Sequence, residues 1–99
     1  MLDFSLRTPT GNEITPTADD NVDVIVDLSD GRSFSATFFT VENLRTLMTG
    51  YRASGECASG LYVWATDMIV VEAISLAVVR ATIADLIASG EINVCCTPL

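Results

Sequence analysis

A strict two-residue alternation on both sides of Ser29-Asp30-Gly31 constrains this chain more than any other feature. Val22, Val24, Val26 and Leu28 alternate with Asp23, Ile25 and Asp27; past the glycine, Phe34, Ala36 and Phe38 alternate with Ser33, Ser35 and Thr37. Such patterning marks half-buried strands. A two-residue Asp30-Gly31 turn would pair Val26 with Ser35 and Asp27 with Phe34, mixing the faces. A three-residue Ser29-Asp30-Gly31 loop pairs Val26 with Phe34 and Val24 with Ala36. One residue of slip turns every side chain to the other face, so the three-residue loop is expected, with Gly31 left-handed in a G1 bulge. The hairpin then carries one apolar face and one face of acids and hydroxyls.

Other elements follow from spacing and caps. Leu2, Phe4 and Leu6 alternate with Asp3, Ser5 and Arg7 as a first short strand, and residues 8–21 hold turn formers without an apolar period. Thr40 is placed to cap a helix carrying Val41, Leu44, Leu47, Met48 and Tyr51, with Gly55 as its stop. Leu61–Glu72 is rich in β formers around Ala65-Thr66-Asp67. It reads as two short strands, Tyr62–Ala65 and Met68–Glu72, or as one long bent strand. Ser75 caps a second helix with a stripe of Leu76, Val79, Ile83, Leu86 and Ile87, ended by Gly90. Residues 91–99 add a few β contacts through Ile92 and Val94, or fray. The expected order is βββαββα. It makes residues 1–99 a single α+β domain, with a mainly antiparallel sheet of about five short strands and two helices packed on one face.

Composition removes whole classes of chemistry. Among 99 residues, 13 acids face five bases, for a formal net charge of −8; every base is an arginine, and there is no histidine. Without lysine there is no Schiff base and no phosphate-loop lysine. Without histidine there is no Ser-His or Cys-His nucleophile, and no histidine-ligated zinc or haem. An acidic surface repels a phosphate backbone, so no nucleic-acid partner is expected. The apolar stretch from Leu61 to Ala88 is broken by Asp67, Glu72, Arg80 and Asp85, too charged for a bilayer span. The first residues lack a basic segment ahead of an apolar run, so a cytoplasmic protein is expected. Cys57, Cys95 and Cys96 form no even framework and no CxxC spacing, so neither metal nor other cofactor is expected.

Few motifs carry chemistry. Asp19-x-Asn21-x-Asp23 copies the opening of a calcium loop, but Val24 stands where the sharp turn needs glycine. Asp23 and Asp27 lie four apart on one strand, roughly 13 Å at strand rise, too far for either glycosidase geometry. Tyr62 and Trp64 share one face of a short segment, either as core or as interface anchors.

Several segments resemble a recurrent set of small bacterial single-domain proteins: Asp30-Gly31, Ala36–Asn43, Ser54-Gly55-Glu56-Cys57, and Gly60-Leu61-Tyr62-Val63-Trp64-Ala65-Thr66-Asp67-Met68-Ile69-Val70-Val71. That set is similar in size and charge to toxin-immunity proteins, and the likeness implies a fold more than a function. With the charge, it makes a non-catalytic acidic protein-binding domain the leading expectation, an immunity- or antitoxin-type inhibitor of a basic toxin. Asp19, Asp20, Asp23, Asp27, Tyr62, Trp64, Asp67 and Glu72 would be the contacts. Two alternatives stand beside it: a homodimeric domain pairing through an exposed sheet edge or face, and a minor enzyme or small-ligand binder using carboxylates.

Overall fold

The central hairpin takes the register that its alternation demands. The computed structural model describes residues 3–99, so Leu2, expected in the first strand, lies outside the described residues. Strands β1 (Phe4–Arg7), β2 (Asn21–Leu28) and β3 (Ser33–Thr40) run antiparallel, with Val26 opposite Phe34 and Val24 opposite Ala36. The Leu28 amide donates to the Arg32 carbonyl at 2.8 Å, closing a three-residue loop with Gly31 at φ 91°.

Helix α1 (Val41–Ser54) starts where Thr40 Oγ1 accepts from the Asn43 amide at 3.0 Å and stops at Gly55, φ 85°. Next comes α2 (Glu56–Gly60), a single left-handed turn in which Cys57, Ala58 and Ser59 have φ of 48°, 52° and 58°. Left-handed backbone costs an L-residue about 1–2 kcal/mol. Gly60 closes the turn, and a Cβ there would collide with the Met48 carbonyl oxygen, so only glycine lets α2 lie against α1. Strand β4 (Met68–Val71) then pairs parallel to β3, Thr37 opposite Met68 and Thr40 opposite Val71. Helix α3 (Leu76–Ser89) is capped by Ser75 and stopped by Gly90. A last turn, α4 (Ile92–Cys95), leads into β5 (Thr97–Pro98), which pairs antiparallel with Phe34 and Ser35 of β3.

The α+β class and the mainly antiparallel five-stranded sheet therefore stand, but the fifth strand is not the expected one. Tyr62–Ala65 forms no strand, the strand after it is confined to Met68–Val71, and the tail is ordered on the sheet rather than frayed. β4 takes the second half of the outer edge of β3 and β5 its first, while residues 62–65 stay irregular and leave the outer edge of β4 unpaired.

Val24, Val26 and Leu28 of β2, Phe34, Ala36 and Phe38 of β3, and Val79 and Ile83 of α3 form the core with Ile74, Ile92 and Cys96. Helix α3 thus covers the apolar face of the hairpin. Helix α1 packs chiefly against α2, and its Leu44, Leu47, Met48 and Tyr51 stay half-buried outside that core. No helix among the described residues is long and apolar enough to cross a membrane.

In an ordinary helix Ala→Gly costs about 1 kcal/mol. In the left-handed turn the sign reverses: Ala58→Gly is expected to stabilise by about 1 kcal/mol, read as an increase in the urea midpoint.

Candidate functional site

The polar face of the hairpin is an array of carboxylates bridged by hydroxyls. Asp27 accepts from Ser33 Oγ at 2.7 Å and from Arg7 Nε at 2.8 Å. Asp23 accepts from Thr37 Oγ1 at 2.9 Å. Asp67 enters this face from the far edge of β3. It accepts from Ser35 Oγ at 2.9 Å, Thr37 Oγ1 at 3.0 Å and Thr97 Oγ1 at 2.8 Å. Its own carbonyl accepts the Thr37 amide at 3.0 Å. Asp67 has φ 53°, and that left-handed turn aims its carboxylate back along β3 while the chain proceeds into β4. Thr37 has a single hydroxyl proton for two carboxylates, so at any moment either Asp23 or Asp67 lacks that bond.

Neighbours bias the charges further. The Arg7 hydrogen bond, then that of Ser33, holds the Asp27 carboxyl below its ordinary value, and the same ion pair raises the Arg7 guanidinium. Asp30 is held low chiefly by the Arg32 amide, with help from the Arg32 side chain. Burial, and then its hydrogen bond to Cys95, pushes the Cys96 thiol up to about 12, so at neutral pH it is a packed thiol and not a nucleophile.

The eight expected contact residues fall into three places. Asp23, Asp27 and Asp67 share the hydroxyl-bridged face. Asp19, Asp20 and Glu72 lie around the start of α1. Asp19 accepts from Asn43 Nδ2 at 3.2 Å and Thr46 Oγ1 at 2.8 Å, which ties the preceding loop to the helix and occupies both carboxylate oxygens. Asp20 accepts the Asn21 amide at 2.8 Å and remains exposed, and Glu72 leaves β4 exposed beside Thr40. Tyr62 and Trp64 occupy the third place, the irregular segment leading to Asp67. They are 47% and 69% exposed, with Leu61 at 79%, so the core reading of the two rings fails. Trp64 precedes Asp67 by three residues, which keeps their backbones within about 11 Å of each other.

Sequence reasoning missed Thr97 and Asn43. A two-residue strand carries no period to flag Thr97. Asn43, buried in the first turn of α1, joins Asp19 to Asn21 through Asn21 Nδ2 at 3.0 Å. A cavity of about 440 Å³ lies elsewhere, between Leu6, Glu13, Ile14 and Leu76. Asp67, Glu72 and Trp64 line neither it nor the two smaller ones. No protein-family model, no curated protein and no solved structure matches this chain.

Asparagine tolerates the left-handed backbone that Asp67 adopts, whereas alanine adopts it only at a cost of about 1–2 kcal/mol. Asp67→Asn is therefore expected to cost about 1–2 kcal/mol through weakened hydroxyl bonds, and Asp67→Ala about 2–4 kcal/mol, as urea midpoints at pH 7. The depressed Asp27 carboxyl adds stability that is complete above about pH 4, its ordinary unfolded value, and lost as pH falls through the native value. Between neutral and strongly acid pH, Asp27→Asn should start less stable than the wild type and converge with it.

Proposed function

We infer that this chain is a non-catalytic protein-binding domain for a basic partner, of the immunity or antitoxin type that occludes a toxin. The observation that supports this reading most is the exposure of Leu61, Tyr62 and Trp64 within a few residues of the carboxylate face. Rigid amphipathic rings anchor interfaces at low entropic cost. A stable interface covers about 800 Å² on each partner, enough to take in both the rings and Asp23, Asp27 and Asp67. The hydroxyls hold those carboxylates in fixed positions, and Asp23, bonded through one oxygen alone, keeps the other for arginine or lysine. A toxin that acts on nucleic acid carries a basic surface for phosphates. An acidic binder competes for that surface and gains a fast, salt-dependent on-rate.

The test is capture of the partner from the source cells at low and high salt, followed by kinetics on the purified pair. The on-rate should fall steeply with salt. Trp64→Ala should weaken binding by about 30-fold, the effect of an interface anchor, and leave the urea midpoint in place. A gene position directly downstream of a larger toxin gene would point the same way. Salt-independent binding, or binding indifferent to both Trp64→Ala and Asp23→Asn, would overturn the reading.

A further inference from the structure

The outer edge of β1 is complementary to itself. β1 ends the sheet, and the Ser29 amide donates to the Asp3 carbonyl at 2.8 Å. With Ser5 opposite Asp27 and Arg7 opposite Ile25, the odd residues Asp3, Ser5 and Arg7 turn their main-chain groups towards β2. Phe4 and Leu6 turn theirs outward, where no backbone partner exists among the described residues.

We propose that this edge pairs with the same edge of a second copy, antiparallel and centred on Ser5, to give a two-fold dimer with one continuous sheet. In that register Phe4 stands opposite Leu6 of the second copy. Both residues carry outward-turned groups, so the two symmetry-related pairs exchange four main-chain hydrogen bonds. Asp3 stands opposite Arg7 of the second copy, twice. Arg7 engages Asp27 through Nε and Nη2, leaving Nη1 for this second carboxylate. A shift of two residues either way keeps the hydrogen bonds but loses both charge pairs. A shift of one loses the hydrogen bonds.

The apolar side of the edge is shaped for the same occupant. Paired residues point to one face of a sheet, so Phe4 of the second copy lies beside Leu6. There the 440 Å³ cavity opens between Leu6, Ile14 and a Leu76 that is 46% exposed. The β1 dimer leaves Trp64 and the Asp23–Asp67 face uncovered, so it neither rests on the proposed binding function nor competes with it.

The paired stretch Asp3–Arg7 spans about 14 Å, a small interface, so association is expected to be weak, in the micromolar range. Sedimentation velocity from about 5 to about 500 μM should then show monomer converting to dimer. Asp3→Arg and Arg7→Glu should each raise the dissociation constant about tenfold or more, since each sets like charges opposite one another. Mixing the two variants in equal amounts should restore a dimer, because the introduced arginine then faces the introduced glutamate, and the Arg7 retained in one copy faces the Asp3 retained in the other. Independently, Ser5→Cys sits on the two-fold axis at a Cα separation of about 4.5 Å and should cross-link under mild oxidation, whereas the wild type should not. A wild type that stays monomeric over this range, variants that leave association unchanged, a mixture that stays monomeric, or an uncrosslinked Ser5→Cys would each overturn the proposal.

Discussion

One carboxylate holds the sheet together at its most improbable point. Asp67 receives hydroxyls from Ser35 and Thr37 of β3 and from Thr97 of β5, and its carbonyl receives the Thr37 amide as β4 begins. Two strands of four and two residues meet there end to end, one parallel to β3 and one antiparallel. Strands that short do not persist unaided. Each is fixed at the close of a long excursion, through α1 and α2 for β4 and through α3 and α4 for β5. Closing a longer loop costs little more entropy than closing a shorter one, so a few charge-assisted hydrogen bonds at the junction suffice. Ser35, Thr37 and Thr97 are only half-buried, which keeps each bond in the modest range. Their convergence on one residue makes the junction cooperative.

The parts of this architecture legible in the sequence are those governed by neighbours a few residues away. The hairpin register followed from the side-chain period, because only a three-residue loop keeps Val24, Val26, Phe34 and Ala36 on one face. The caps at Thr40 and Ser75 and the stops at Gly55 and Gly90 are likewise local, each a single side chain or a single positive φ. The hydroxyl-and-acid face of the hairpin was equally visible, since Asp23, Asp27, Ser33, Ser35 and Thr37 alternate with the core.

What escaped depends on competition between distant segments. Residues 62–65 have strand-forming composition, yet they stay off the outer edge of β4, while the outer edge of β3 goes to β4 and β5. Nothing in Thr97-Pro98 marks it as the winner, because two residues have no period and the decisive contact is to Asp67. The left-handed turn at 57–59 has no side-chain signature of its own; only the flanking Gly55 and Gly60 hint that the backbone reverses hand. The helical stripe of α1 was a true signal of an apolar face but said nothing of what that face meets, which is chiefly α2. For the candidate site, the residue types were readable and their grouping was not. Asp67 joins Asp23 through Thr37, Asp19 is committed to Asn43 and Thr46, and the exposure of Tyr62 and Trp64 follows from the strand that does not form.

The net charge of −8 sets a condition on any self-association. Two copies of an acidic domain repel unless their acids are kept apart, and the layout of this sheet does that along one direction. On the polar face Asp3 and Arg7 lie at the β1 edge, Arg7 pairs with Asp27 of β2, Asp23 lies on the same strand, and Asp67 enters from the far side of β3. At about 4.8 Å per strand, two sheets joined through β1 would hold their Asp67 carboxylates roughly 30 Å apart, several times the Debye length of about 8 Å at physiological salt. The same layout leaves the acidic edge, with its neighbouring rings, facing outward at both ends of the pair. Charge patterning along the strand order thus separates an edge suited to a second copy from a face suited to a basic partner, and a small sheet can serve both without one surface obstructing the other.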